Sequence, residues 1–172
     1  MDNLTCLVNT SHDDFSRTTP ESTRDLVEKG FSLIPLHSID LRGKCTCSNI
    51  DCHSPGKHPI TRNGLKDASS NEKVISSWWH KYPYANTGIA TGSISCLVVL
   101  DIDLKSGGLA SLEALEKKHG SLSGHTEVSS GGGGKHFYFL APQKLLGNRA
   151  GILPGVDFKA ENGYIIAPPS KH

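Results

Sequence analysis

An unbroken apolar run from Cys96 to Leu100 leads straight into Asp101-Ile102-Asp103. A strand with one wet face alternates apolar and polar residues, whereas an uninterrupted run of strand length belongs to a strand covered on both faces. The chain is therefore predicted to be built around a sheet with SCLVVLDID (95–103) in its interior. Further strands are predicted at FSLIPL (31–36), NTGIATG (86–92, a short strand and turn), TEVSS (126–130), KHFYFL (135–140), GVDFKA (155–160) and GYIIAP (163–168).

Helices are predicted between these strands. Thr19-Pro20-Glu21 has the form of a helix start, with a hydroxyl cap and Pro at the first helical position, and Gly30 ends that helix. Ser70-Asn71-Glu72 opens a second helix with Val74, Ile75, Trp78 and Trp79 at helical spacing, closed by Tyr82-Pro83. One of the two tryptophans is expected to pack on the sheet and the other to be partly exposed. Gly107-Gly108 leads into LASLEALEKKHG, an amphipathic helix ended by Gly120. The fold class is α+β (α/β), a central mixed β-sheet flanked by helices. At 172 residues one domain is expected over 20–172, preceded by a polar, disordered tail over 1–19.

Composition narrows the function classes. Hydrophobic residues make up 36% and charged residues 20%, as in globular proteins. A net charge of +1 argues against avid, nonspecific coating of nucleic acid but allows a local basic groove. No stretch approaches the ~20 apolar residues of a membrane span, and the N-terminal residues lack a secretory pattern. The expectation is a cytoplasmic protein without membrane contact, with reduced cysteines.

Residues 41–64 hold almost no apolar side chains, so hydrophobic contact cannot order them. Three of the five cysteines fall here within eight residues, in KCTCSNIDCHSPGKHP. Thiolates and imidazoles are zinc ligands, and four of them make a closed tetrahedral site. Cys45, Cys47, Cys52 and His58 are the predicted Zn²⁺ ligands, with His53 as the alternative fourth. The competing reading is a reduced-cysteine loop in which Lys57 and His58 line a groove. Cys6, in the tail, and Cys96, in the strand, are expected not to be ligands.

Three segments carry candidate chemistry. Asp101 and Asp103 lie two apart on a strand, hence on one face, and paired carboxylates favour a bound Mg²⁺ or Mn²⁺. An isolated D-x-D equally describes the polar end of a strand. Ser129-Ser130 and four glycines (131–134) precede Lys135-His136 between two strands. Such a loop lets a ligand approach backbone N–H groups, as phosphate sites require, and it also describes a plain hairpin. It is not a Walker A loop, since Ser129 stands where Gly is required and His136 follows the lysine. Lys135 and His136 face opposite sides by strand alternation, so at most one shares the active face. Asp157 and Lys159 share a face and add a third carboxylate and a cation. Asn148-Arg149 is read either as a phosphate contact or as a loop cap.

The stretches NTGIATG, LVVLDID, SSGGGGKHFYF, PGVDFKAENGY and IIAPPSKH together resemble the bifunctional DNA primase/polymerase N-terminal domain of the archaeo-eukaryotic primase superfamily, from about residue 22 onward. The resemblance implies two divalent ions on Asp101, Asp103 and Asp157, and a histidine, here His136, on the phosphates of the incoming nucleotide. Gly134 stands where the family motif has Ser, and Lys159 stands where Arg is frequent; Lys keeps the charge but loses bidentate geometry. The implied nucleotide-binding set is Ser130, Gly133, Gly134, Lys135, His136 and Lys159. The implied partners are a DNA template and primer, dNTPs or rNTPs, and, in relatives, helicase or other replication domains. The chain ends at PPSKH, where relatives continue, so a C-terminal truncation is expected. The alternatives are a noncatalytic nucleotide- or nucleic-acid-binding module and a metal-dependent phosphohydrolase.

Overall fold

A computed structural model describes residues 19–171. The tail reading, and Cys6 with it, falls on residues outside that range. In chain order the elements are α1 (Glu21–Glu28), β1 (Leu33–Leu36), α2 (Glu72–Lys81), β2 (Asn86–Ala90), β3 (Leu97–Ile102), α3 (Gly108–His119), β4 (Thr126–Ser129), β5 (Lys135–Leu140), β6 (Arg149–Leu153), β7 (Val156–Lys159) and β8 (Tyr164–Ile166). The chain divides into two compact units. One runs to Ala90 and resumes at Ile166, and the other is Thr91–Ile165.

The smaller sheet is ordered β1-β2-β8, with β1 and β2 in the first unit. β1 and β2 pair antiparallel, from Leu33 opposite Ile89 to Leu36 opposite Asn86. The other edge of β1 is taken by the segment after the Cys/His loop: Leu33 and Ser69 exchange backbone hydrogen bonds, and Ile60 N–H donates to the Pro35 carbonyl. Pro35, which has no N–H of its own, is thereby accommodated. Asn71 caps α2, its side chain accepting from the Lys73 and Val74 N–H groups. That start turns Ile75 and Trp79 inward against β1, while Trp78 stays half-buried. At α1 the expected hydroxyl cap is absent. Pro20 itself holds the cap position, and its carbonyl accepts from Thr23 and Arg24 while Thr19 is buried without capping.

The second unit contains five strands in the order β4-β5-β3-β7-β6, so the apolar run does form the central strand. Cys96 is not part of it. The residue sits in a left-handed turn (φ 48°) before β3 and is only half-buried. Ile102, Phe137 and Val156 point to one face and cluster with Leu112 of α3. The α+β class predicted from the sequence is what the fold has. The single mixed sheet is instead two sheets, whose named ladders run antiparallel; for β4–β5 and β6–β7 the links 130–134 and 154–155 leave no room for a parallel crossover. Among the described residues no helix is long and apolar enough to cross a membrane.

Trp79 is 1% exposed, yet its indole N–H has no hydrogen-bond partner among the described residues. Its contribution is then packing alone. Trp79→Ala should cost about 3–5 kcal/mol in chemical unfolding. Trp79→Phe, which keeps most of the ring and strands no partner, should cost well under half of that.

Candidate functional site

β3 is paired on both sides, and this sets the site. Asp101 lies opposite His136 on β5 and opposite Asp157 on β7, so the three form one row across the sheet. The next row on the same face is Tyr138, Val99 and Lys159. Directly paired residues share a face and the residue between them faces away, so Ile102 and Lys135 belong to the opposite side. Lys135 there pairs with Glu127 at 2.9 Å. Of the two adjacent candidates, His136 is the one on the acidic face.

The row is closely interacting. His136 is 7% exposed, with Nε2 lying 3.3 Å from Asp101 Oδ1, and its Nδ1 is buried without a partner among the described residues. Lys159 Nζ is 2.6 Å from Asp157 Oδ2 and 3.9 Å from Asp101 Oδ2. Burial pushes the Asp157 carboxyl up, but the Lys159 ammonium and a 2.7 Å bond from the Gly151 N–H outweigh it and hold the group below the usual carboxylate range. Burial also pushes the Tyr138 phenol up to about 12.

Asp103 is placed differently. β3 ends at Ile102, and Asp103 caps the short 3-10 turn Leu104–Ser106. Its carboxylate accepts from the Ser106 hydroxyl (2.6 Å) and the Lys105 N–H (3.0 Å), which hold its carboxyl low. No described hydrogen bond joins it to Asp101 or Asp157. Its backbone is pinned by Gly155, whose carbonyl accepts from the Asp103 N–H at 2.8 Å. A Cβ at Gly155 would lie 2.6 Å from the Asp103 carbonyl oxygen, and φ there is +64°, so only glycine fits.

The glycine segment is the hairpin turn between β4 and β5. Ser130 N–H donates to the Gly134 carbonyl, Gly133 N–H to the Ser130 carbonyl, and Gly134 N–H to the Ser130 hydroxyl. The Ser130 side chain thus braces the turn. Gly131, Gly132 and Gly133 are exposed, whereas Gly134 is buried against β3. A Cβ on Gly134 would strike the Ile102 carbonyl, a local reason for glycine where the family motif carries serine.

In the first unit the ligand atoms of Cys45, Cys47, Cys52 and His58 all lie within 4.8 Å of one another. His58 Nε2 is 3.4 Å from Cys45 Sγ and 3.5 Å from Cys52 Sγ. Zn–S near 2.3 Å and Zn–N near 2.0 Å at a tetrahedral angle require an S···N edge of roughly 3.5 Å, so the set fits zinc. His58, not the alternative His53, is the fourth member. Burial would raise the Cys45 thiol, but the N–H groups of Gly56 and Cys47, with the Cys47 and His58 side chains, bring it down to about 6. Burial pushes the Cys52 thiol up, with Cys47 and Cys45 adding to the rise. His37 packs its ring on His58 (centroids 4.5 Å apart), and its backbone N–H donates to the His58 carbonyl.

Three contributors are not apparent from sequence pattern. β6 is exposed throughout, interrupted by Gly151 and shifted in register, so it shows no alternation, yet its Gly151 N–H orients Asp157. Tyr138 reads as part of an apolar strand. Asn86 is buried and donates to the Gly56 and Lys171 carbonyls while accepting from the Lys171 N–H. Asn148, read as a phosphate contact or a cap, accepts from the Ala160 N–H.

The family model for the bifunctional DNA primase/polymerase, N-terminal, matches residues 23–172. No curated protein matches the chain.

Cys47→Ser and His58→Ala should each abolish stoichiometric zinc by elemental analysis and lower thermal stability, while His53→Ala retains the metal. Gly134→Ala should cost about 1–3 kcal/mol of unfolding free energy, since the Ile102 backbone cannot move aside without disturbing β3.

Proposed function

The chain belongs to the bifunctional DNA primase/polymerase N-terminal family, and from that premise we propose that it performs template-directed nucleotidyl transfer, adding dNTPs or rNTPs along a DNA template. The observation that carries this reading is the His136–Asp101–Asp157 row, with Lys159 beside it, on one face of the sheet. Paired carboxylates are the oxygen donors that Mg²⁺ and Mn²⁺ take. Asp101, Asp157 and Asp103 would hold two such ions, which when bound supply activation of the primer 3′-hydroxyl and neutralisation of the leaving pyrophosphate. Asp103 accepts one hydrogen bond on each oxygen, from Lys105 and Ser106, and keeps a further lone pair on each for that role.

The chain's own groups do the positioning. Lys159 donates to the triphosphate, as does His136 once it gives up its contact with Asp101, and the exposed N–H groups of 131–133 offer backbone contacts. Template and primer lie across the sheet and are gripped by their backbones, with little sequence preference. Cys45, Cys47, Cys52 and His58 bind a structural Zn²⁺ that orders residues 41–64, within one catalytic domain over 20–172. The setting is cytoplasmic replication or repair of a plasmid, phage or similar element, alongside helicase or other replication domains.

A second reading, a noncatalytic nucleotide- or nucleic-acid-binding module, draws on Asp103, whose carboxylate is occupied locally. Primer extension with Mg²⁺ or Mn²⁺ separates the two. Incorporation with pyrophosphate release is expected, and Asp101→Asn or Asp157→Asn should lower it by at least about 10³-fold with the fold retained by circular dichroism. Binding without incorporation in the wild type would favour the module, and orthophosphate release would point to a phosphohydrolase.

A further inference from the structure

Asp101 and Asp157 stand directly opposite each other on β3 and β7. Cross-strand partners hold their Cβ atoms about 4.5–5.5 Å apart, and like charges so placed repel. Each carboxylate has one oxygen engaged outside the pair: Asp101 Oδ1 faces His136 Nε2, and Asp157 Oδ1 accepts from the Gly151 N–H. The two remaining oxygens, Asp101 Oδ2 and Asp157 Oδ2, both face the ammonium of Lys159, at 3.9 and 2.6 Å. Lys159 is a compact charge on a flexible four-carbon stem and is partly exposed, so it can leave without disturbing the backbone.

We propose that Lys159 is an internal counter-ion that competes with a divalent cation for Asp101 Oδ2 and Asp157 Oδ2, and that a nucleotide triphosphate draws its ammonium away and so promotes metal loading. The proposal rests on the nucleotidyl-transfer reading of this face. Linkage then requires reciprocity: metal tightens nucleotide binding by the same factor that nucleotide tightens metal binding. The acids are held apart from repulsion at all times, first by lysine and then by metal.

The test is Mn²⁺ binding by the full chain, read from the paramagnetic resonance signal of free Mn²⁺. It is run with and without a non-hydrolysable dNTP analogue, after subtracting what the analogue chelates alone. In the wild type the analogue should tighten Mn²⁺ about fivefold or more. Lys159→Met also deletes a triphosphate contact, so its nucleotide-free affinity is the deciding value, and it should be about fivefold or more tighter than wild type. Lys159→Arg, which keeps the charge and grips carboxylates in bidentate fashion, should bind Mn²⁺ more weakly than wild type. Nucleotide-free Mn²⁺ binding by a folded Lys159→Met protein no tighter than wild type overturns the proposal. If that variant fails to fold, unchanged or tighter binding by Lys159→Arg overturns it. Wild-type Mn²⁺ binding by an Asp101→Asn/Asp157→Asn double variant would instead defeat the underlying reading of the acids.

Discussion

Two carboxylates in register on adjacent strands are an unfavourable arrangement, and much of the second unit can be understood from how it is offset. Asp101 can be where it is because β3 is the central strand, flanked by His136 on β5 and by Asp157 and Lys159 on β7. β3 in turn can end in acids because its opposite face, through Ile102 and the Phe137–Val156–Leu112 cluster, supplies the apolar burial. Hydrophobic packing on one side thus fixes, to within a strand register, charged groups that would separate if they were free. Local elements refine the arrangement: Gly155 sets the Asp103 backbone, and the bulged edge strand β6 lends an N–H to Asp157.

The first unit orders a segment that no hydrophobic contact could. Residues 41–64 have few apolar side chains, and two of them, Leu41 and Ile50, are exposed. What order they possess comes from converging sulfur and nitrogen atoms, from the His37 ring on His58 and from backbone bonds that place 58–69 along β1. Metal affinity would then serve as folding free energy for this loop.

The central strand was legible because an unbroken apolar run has few other uses, and α2 because Asn71 and the Ile75–Trp79 spacing agree on where it starts and faces. Asp101, His136, Asp157 and Lys159 were singled out through the resemblance of their segments to the primase/polymerase family, and strand alternation already separated His136 from Lys135. Asp103 lies one residue past the end of β3, still with extended backbone, and its carboxylate caps the turn that follows. The Cys/His set was legible from residue type, but the choice between His53 and His58 needed the chain path. β6 was not legible because it has neither alternation nor burial, and Asn86 was not because a buried amide tied to distant backbone leaves no local pattern.

Asn86 has a consequence that reaches past its own strand. Its single side chain joins backbone at Gly56 and at Lys171, positions 30 and 85 residues away, while Gly56 N–H also bonds Cys45 Sγ. Closing loops of that length costs conformational entropy that grows only slowly with length, so one well-satisfied amide can hold both. The metal loop and the segment around Lys171 therefore share an anchor. Loosening either one leaves a buried amide group short of a partner, so the metal loop and the segment at Lys171 are tied through one residue of β2.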